Sequence, residues 1–260
     1  MKKIIAIAMV LVMALFALTS CGQSDIQSIK DSGKIVVGVT VYEPMDYIDA
    51  DGNWAGFDAE LANMFAESLG IKAQLVIIDW NNKVAELDSY QIDLVWNGMT
   101  ASEELGKNID FSVSYAKNAQ VAVVKKGSSV TKENLVNATI AVENGSAGET
   151  VARETIGANK IVEKSNGQAE ALTEIIAGTA EAAVIDITMA QSVLGKGVYA
   201  DLEILAGASY GDEIFAVGLR KGSDIKEELD AFLKAKYADG TLAALAEKYD
   251  VGLNTEALAG

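Results

Sequence analysis

Histidine is absent from the chain. That excludes His-based catalytic triads, His-metal centres and imidazole acid–base chemistry. Cysteine occurs once, at Cys21, so no disulfide framework and no cysteine-ligated metal site can form. No cofactor and no metal are expected. Basic residues are few, 21 against 37 acidic ones, for a net charge of -16. Such a surface repels phosphates, and nucleic-acid binding is set aside. Arginine stands only at Arg153 and Arg220, and proline only at Pro44. No low-complexity segment is present, and with 50% hydrophobic residues the chain reads as an ordinary globular protein.

The first twenty residues differ from the rest. Lys2 and Lys3 form a positive start, and residues 4–18 are apolar and uncharged. A run of about 15 residues falls short of the roughly 20 that span a bilayer. It matches the hydrophobic region of a secretory signal peptide. Leu18-Thr19-Ser20-Cys21-Gly22 follows. An apolar residue, two small ones and a cysteine look like a bacterial lipobox, in which the cysteine becomes the lipidated N-terminus. An ordinary signal peptide with a chance cysteine is the alternative. The expected layout is a signal peptide over 1–20, then a lipidated Cys21 and tether over 21–25. The body is then anchored at the outer face of the cytoplasmic membrane or in the envelope. No later stretch is long and apolar enough to span a membrane.

Beyond residue 25, short β-branched runs alternate with amphipathic helical stretches. Strands are predicted at 34–39, 73–78, 92–96, 121–124, 139–142 and 182–185. Helices are predicted at 56–70, 81–90, 147–156, 168–177, 224–238 and 242–249. In the first of these, Phe57, Leu61, Phe65 and Leu69 share a face at spacings of four, and Gly70 stands where a helix stop belongs. Such alternation predicts α/β units with parallel sheets, whose ligands bind beyond the carboxyl ends of the strands. The loops after Val39, Ile78, Trp96, Val142 and Ile185 are therefore the places to look.

At those loops the sequence resembles the periplasmic amino-acid-binding proteins of ABC importers, solute-binding family 3. Seven segments carry the likeness in order. They are Val37-Gly38-Val39 with Tyr42 to Met45; Asp51 to Asp58, close to the family's "DGxxxGFDxxL"; and Leu87 through Asp93 to Gly98-Met99-Thr100. Then come Ile109-Asp110-Phe111-Ser112 with Tyr115, Val142 to Ser146, Ala182 to Asp186, and Ala238 to Thr241. The resemblance implies a two-lobed α/β fold of the type II periplasmic-binding-protein kind, with a ligand cleft between lobes that close like a hinge. Lobe 1 would hold 26–116 and 216–260, and lobe 2 would hold 117–215. It also implies a small-molecule ligand, a membrane permease as partner, a monomeric receptor and no enzymatic activity. A sensor module and a cyclohexadienyl-type dehydratase are the other classes weighed.

Site residues follow from the same resemblance. Tyr42 and Trp80 match aromatic wall positions, where rings pack a side chain or hold a cation. Trp96 is either pocket wall or core. Asn97, Gly98 and Thr100 match the segment that meets the ligand's charged head group. Ser146 and Ala147 open a lobe-2 helix whose N–H groups suit a carboxylate, a plain N-cap turn being the alternative. Asp186 matches the carboxylate that pairs with the ligand's α-ammonium, with a helix N-cap as the alternative.

One position departs from the pattern. The family's "T-x-T-x-E-R" places an arginine that clamps the α-carboxylate in a bidentate fork. Here Thr100-Ala101-Ser102-Glu103-Glu104-Leu105 puts Leu105 in its place. Three readings stand: an amino acid held without the clamp, an amine or cation lacking a carboxylate, or a stand-in lysine at Lys83 or Lys107.

Overall fold

A computed structural model describes residues 24–260. The signal peptide, Cys21 and residues 22–23 lie outside the described residues. Ser24 and Asp25, expected in the tether, belong instead to the folded body. Ser24 caps helix α1 (Asp25–Ser32) by accepting the N–H of Gln27. Its hydroxyl also donates to Asp224, and Asp25 pairs with the Arg220 guanidinium at 3.2 Å. Capping and ion pairing pull the start of the fold forward to residue 24.

The remaining elements run in chain order. β1 (Lys34–Val39) precedes a small hairpin, β2 (Tyr47–Ile48) and β3 (Trp54–Ala55). Next come α2 (Phe57–Ser68), β4 (Lys72–Ile77), a 3-10 turn at Trp80–Asn82, α3 (Lys83–Asp88), β5 (Leu94–Val95) and β6 (Ile109–Phe111). The second part holds β7 (Ala116–Lys125), β8 (Thr139–Glu143), α4 (Ala147–Thr150) with a π-helical turn at Val151–Thr155, and β9 (Lys160–Lys164). It continues with α5 (Gln168–Ala177), β10 (Ala182–Asp186), α6 (Ile187–Val193) and β11 (Leu202–Phe215). β12 (Gly218–Arg220), α7 (Ile225–Ala238), α8 (Thr241–Tyr249) and α9 (Thr255–Ala259) follow. None of the helices among the described residues is long and apolar enough to cross a membrane.

Two five-stranded sheets organise these elements. The first has the order β4-β1-β5-β12-β6, and the second β11-β7-β10-β8-β9. β1 runs parallel to β4 and β5, and β8 runs parallel to β9 and β10. The chain passes from one sheet to the other between Phe111 and Ala116, and returns between Phe215 and Gly218. The result is two lobes joined by two crossings.

Each lobe is closed by helices that bury an apolar face. In α2, Phe57, Leu61 and Phe65 are buried; Leu69 becomes the C-cap and Gly70 takes φ 73 to stop the helix. In lobe 2 the strands bury both faces, as parallel sheets do. Ala122, Val124, Ile140, Val142, Ala182 and Val184 pack on one side with Leu135 and Ala152. Val121, Val123, Ala141, Ala183 and Ile185 pack on the other with Leu172 and Ile175. β5 is shorter than the predicted 92–96, and at its start the Ile92 carbonyl accepts from Arg220 Nη1 at 2.7 Å. β11 is missing from the sequence reading. Its charges, Gly207 and Gly211 at positive φ, and two register shifts mask the strand pattern.

Candidate functional site

The parallel strands of both sheets point their carboxyl ends at one interlobe cavity of about 530 Å³. Tyr42, Trp80, Asn97, Gly98, Thr100, Leu105, Ser146, Ala147 and Asp186 all line it.

The lobe-1 wall is built from groups that hold one another. The Asn97 carbonyl accepts from the Thr40 N–H (3.0 Å) and Thr40 hydroxyl (2.8 Å), while its amide donates to Thr40 O (3.0 Å) and Asp46 Oδ2 (2.7 Å). The Gly98 N–H donates to Asp58 Oδ2 (2.6 Å), which also accepts from the Tyr115 hydroxyl (2.8 Å). The Asn97 side chain and the Gly98 N–H therefore brace the loop. Gly98 has φ 53, and a Cβ there would lie 2.7 Å from Tyr42 Cε1. Its missing side chain admits the Tyr42 ring. Thr100 donates its hydroxyl to Glu213 Oε2 at 3.0 Å. Burial foremost raises Asp58 to about 7, and burial together with the charge of Asp58 raises Asp46 well above the ordinary carboxylate range.

Trp96 is not a pocket wall. It is fully buried against Phe65 and Tyr115, with ring centroids at 6.3 and 6.4 Å, beneath the loop rather than facing the cavity. Trp96 directly follows β5 and joins the lobe-1 core.

The lobe-2 wall is polar and titratable. Asp186 ends β10 and is 4% exposed. It makes no side-chain cap bond to α6. Its Oδ1 accepts from Gln120 Nε2 at 2.6 Å and from the Asn118 amide, and its Oδ2 accepts from the Gln168 amide. A carboxylate has about four acceptor positions, so capacity remains on Oδ2. Burial, then the charge of Glu213, pushes Asp186 up to about 7. Ser146 does act as an N-cap, accepting the Glu149 N–H at 3.1 Å. Glu143, at the end of β8, is 2% exposed and lines the same cavity, and its Oε1 has no hydrogen-bond partner. Burial foremost, with the Asp186 charge second, pushes it up to about 8.

Lys83 is the cation on the cavity wall among the described residues. Its Nζ donates to Trp80 O (3.1 Å) in lobe 1 and Gly145 O (2.9 Å) in lobe 2, and lies 4.9 Å from the Trp80 ring centroid. Burial lowers it to about 8. Lys107 does not line the cavity; it is exposed and pairs with Glu104. Both arginines are engaged elsewhere. Arg153 pairs with Glu149 and Glu163, and Arg220 pairs with Asp25 and Asp93 and stacks on Tyr90. No guanidinium stands in for the clamp missing at Leu105.

This two-lobed geometry has close counterparts. Residues 35–252 match the bacterial extracellular solute-binding proteins, family 3. The chain belongs to that family. Among family-3 relatives is the arginine-binding extracellular protein ArtP of Bacillus subtilis, 30% identical over 91% of this chain and 94% of ArtP. Among solved structures is a mutant of ArgBP from T. maritima, 31% identical with a TM-score of 0.80, covering 86% of this chain and 98% of that one. Another is AncCDT-1, an ancestral amino acid-binding protein and precursor of cyclohexadienyl dehydratase. It is 30% identical with a TM-score of 0.78, over 87% of this chain and 99% of that one. The family-3 chain has the two-lobed type II periplasmic-binding-protein fold, and its function is extracytoplasmic solute capture for an ABC importer.

Several lining residues of this family-3 site escaped sequence reasoning. Gln120 and Gln168 carry no motif. Glu143 lay inside the family-like segment Val142 to Ser146 without being singled out, and, like Asp186, it is a charged residue closing an otherwise apolar strand.

Proposed function

We propose that the chain is a lipid-anchored receptor, tethered through Cys21, that captures an amino-acid-type solute and hands it unchanged to a membrane permease. The solute's ammonium pairs with Asp186. The observation that carries this reading is a buried carboxylate at the end of β10, oriented by three side-chain amides and keeping acceptor capacity on the cavity wall. Tyr42 and Trp80 supply the aromatic walls. The amino-acid ligands named for the relatives support the solute class. No guanidinium lines the wall at Leu105, and the Lys83 ammonium is engaged by the carbonyls of Trp80 and Gly145, so any carboxylate is held mainly by neutral donors, Ser146 and the Ala147 backbone among them. Affinity for plain amino acids is accordingly modest, and an amine without a carboxylate is accepted as well.

A thermal-shift screen of amino acids and amines tests this. A true solute raises the melting temperature of the wild type and not of Asp186→Asn, and mass spectrometry recovers it chemically unchanged. Equal shifts in both proteins would sink the assignment of Asp186, and a converted solute would make the protein an enzyme.

A further inference from the structure

Asp186 is oriented by amides, and two of those amides are held in turn by a second carboxylate. Asn118 and Gln120 stand on one face of β7, two residues apart. Each amide nitrogen carries two N–H groups. Each bonds Asp186 Oδ1 on one side and Glu213 Oε2, at 2.9 Å, on the other. The Thr100 hydroxyl donates to the same Glu213 oxygen at 3.0 Å from lobe 1. Glu213 does not line the cavity. It reaches the amides because of a β-bulge. From Tyr210 to Glu213 the edge strand β11 takes three steps where β7 takes two, from Gln120 to Asn118. Gly211, at φ 69, lies within the bulge. In a regular ladder Asp212 would oppose Asn118. The bulge puts Glu213 there instead and turns its side chain onto the face of the two amides.

The three amides around Asp186 are not anchored alike. Gln168 accepts the Asp186 backbone N–H at 2.8 Å, and Asn118 accepts the Thr188 hydroxyl at 3.1 Å, so their carbonyls are fixed as well. The Gln120 amide is fixed by Asp186 and Glu213, and turned over it would aim its carbonyl at two carboxylates. Resting on the reading of Asp186 as the ammonium site, we infer that Glu213 is a positioning residue for solute capture: without touching the solute, it holds the Gln120 and Asn118 amides towards Asp186 and so fixes the direction of the carboxylate that meets the ammonium. The same contact sets a like charge beside Asp186. After burial, the Glu213 charge is the second cause that pushes Asp186 up to about 7. The other titratable groups facing Asp186 are Glu143 on β8 and the Tyr42 hydroxyl of lobe 1, which burial keeps in its neutral form.

Two substitutions separate positioning from mere support of the fold. Glu213→Gln keeps an acceptor oxygen and removes the charge, whereas Glu213→Ala removes both. The first measurement is a carboxyl-carbon NMR titration of the full chain without solute, the Asp186 signal being identified by its loss in Asp186→Asn. The Asp186 midpoint should lie about one pH unit lower in both variants than in the wild type. The second is calorimetry with norleucine at pH 8, above the Asp186 midpoint. Glu213→Gln should bind within about threefold of the wild type, and Glu213→Ala about tenfold more weakly. An unmoved Asp186 midpoint would overturn the inference, and so would equal norleucine affinity in Glu213→Ala and the wild type. Either result leaves Asp186 as the ammonium site. A lower melting temperature with both readouts unmoved would make Glu213 a support of the fold only. Norleucine that fails to bind the wild type, or binds Asp186→Asn as tightly, would overturn the Asp186 reading and the role of Glu213 with it.

Discussion

The two walls of the cleft are made on different plans. In lobe 1, the polar atoms of Asn97, Gly98 and Thr100 are bonded to protein groups, and the surface left to a solute is aromatic and aliphatic. In lobe 2, Asp186 and Glu143 face the cavity as carboxylates shifted towards neutrality by burial. One wall supplies shape and the other supplies charge. Substitutions in lobe 1 should therefore move stability, and substitutions in lobe 2 should move selectivity.

The largest expected effect is on the charged wall. Asp186→Asn removes one half of a buried charge pair, a loss of roughly 2–5 kcal/mol. That corresponds to about 30- to several-thousand-fold in affinity at ~1.4 kcal/mol per decade. The melting temperature without solute should hold or rise, since a destabilising buried charge is gone. A fall in both together would erase the contrast between the walls.

On the shape wall, Gly98→Ala should act mainly on folding. It forces a side chain to φ 53 and drives a Cβ to 2.7 Å from the Tyr42 ring and 3.2 Å from Phe215. Backbone strain and overpacking together cost roughly 2–4 kcal/mol. Chemical denaturation measures it. A loss below about 1 kcal/mol would mean that the loop yields easily.

pH sharpens the comparison. Glu143 and Asp186 have folded pKa values of about 8 and about 7, raised mainly by burial, and Asp58 in lobe 1 is also raised to about 7. For a raised carboxyl, the stabilising contribution is complete below its unfolded value and is lost as pH rises through its folded value. Stability without solute should thus fall between about pH 4 and pH 8, each group contributing up to roughly 1.4 kcal/mol per pH unit where it titrates. Asp186→Asn combined with Glu143→Gln should remove the lobe-2 share of this slope and leave the share due to Asp58 and Asp46 in lobe 1. A wild-type melting temperature constant over that range would contradict the burial described.

Leu105→Arg is the smallest expected change. It places a fork-shaped cation on the cavity wall. An amino acid should gain about tenfold over the amine that lacks its carboxylate. An unchanged ratio would show that position 105 does not reach a solute carboxylate.

Much of this arrangement was legible in the sequence, and the failures have physical causes. The strand and helix order was readable because buried runs such as 139–143 and 182–186 and the four-residue spacing in α2 are strong local signals. The Asn97-Gly98 segment was read as ligand-facing, and both residues line the cavity. Asn97 also bonds to Asp46, and Gly98 to Asp58 of the "GFD" segment, so the motif encodes a loop shape as well. Trp96 was ambiguous because, read as the last residue of a strand, it could face either way, and its packing on Phe65 and Tyr115 decides it. The amides around Asp186 come from β7 and α5, far apart in the chain, and only tertiary pairing brings Gln120 and Gln168 together. Ser24 and Asp25 looked like tether because their partners, Asp224 and Arg220, lie about 200 residues away.

Lys83 has a consequence of another kind. Its ammonium joins the carbonyl of Trp80 in one lobe to that of Gly145 in the other, using protein atoms on both sides. Its contribution to closure is therefore the same for every solute. It multiplies all affinities by one factor and leaves their ratios alone. Because burial lowers its pKa to about 8, that factor shrinks in alkaline surroundings, where the whole set of affinities declines in step. Lys83 sets the gain of the receptor, independently of what it is tuned to.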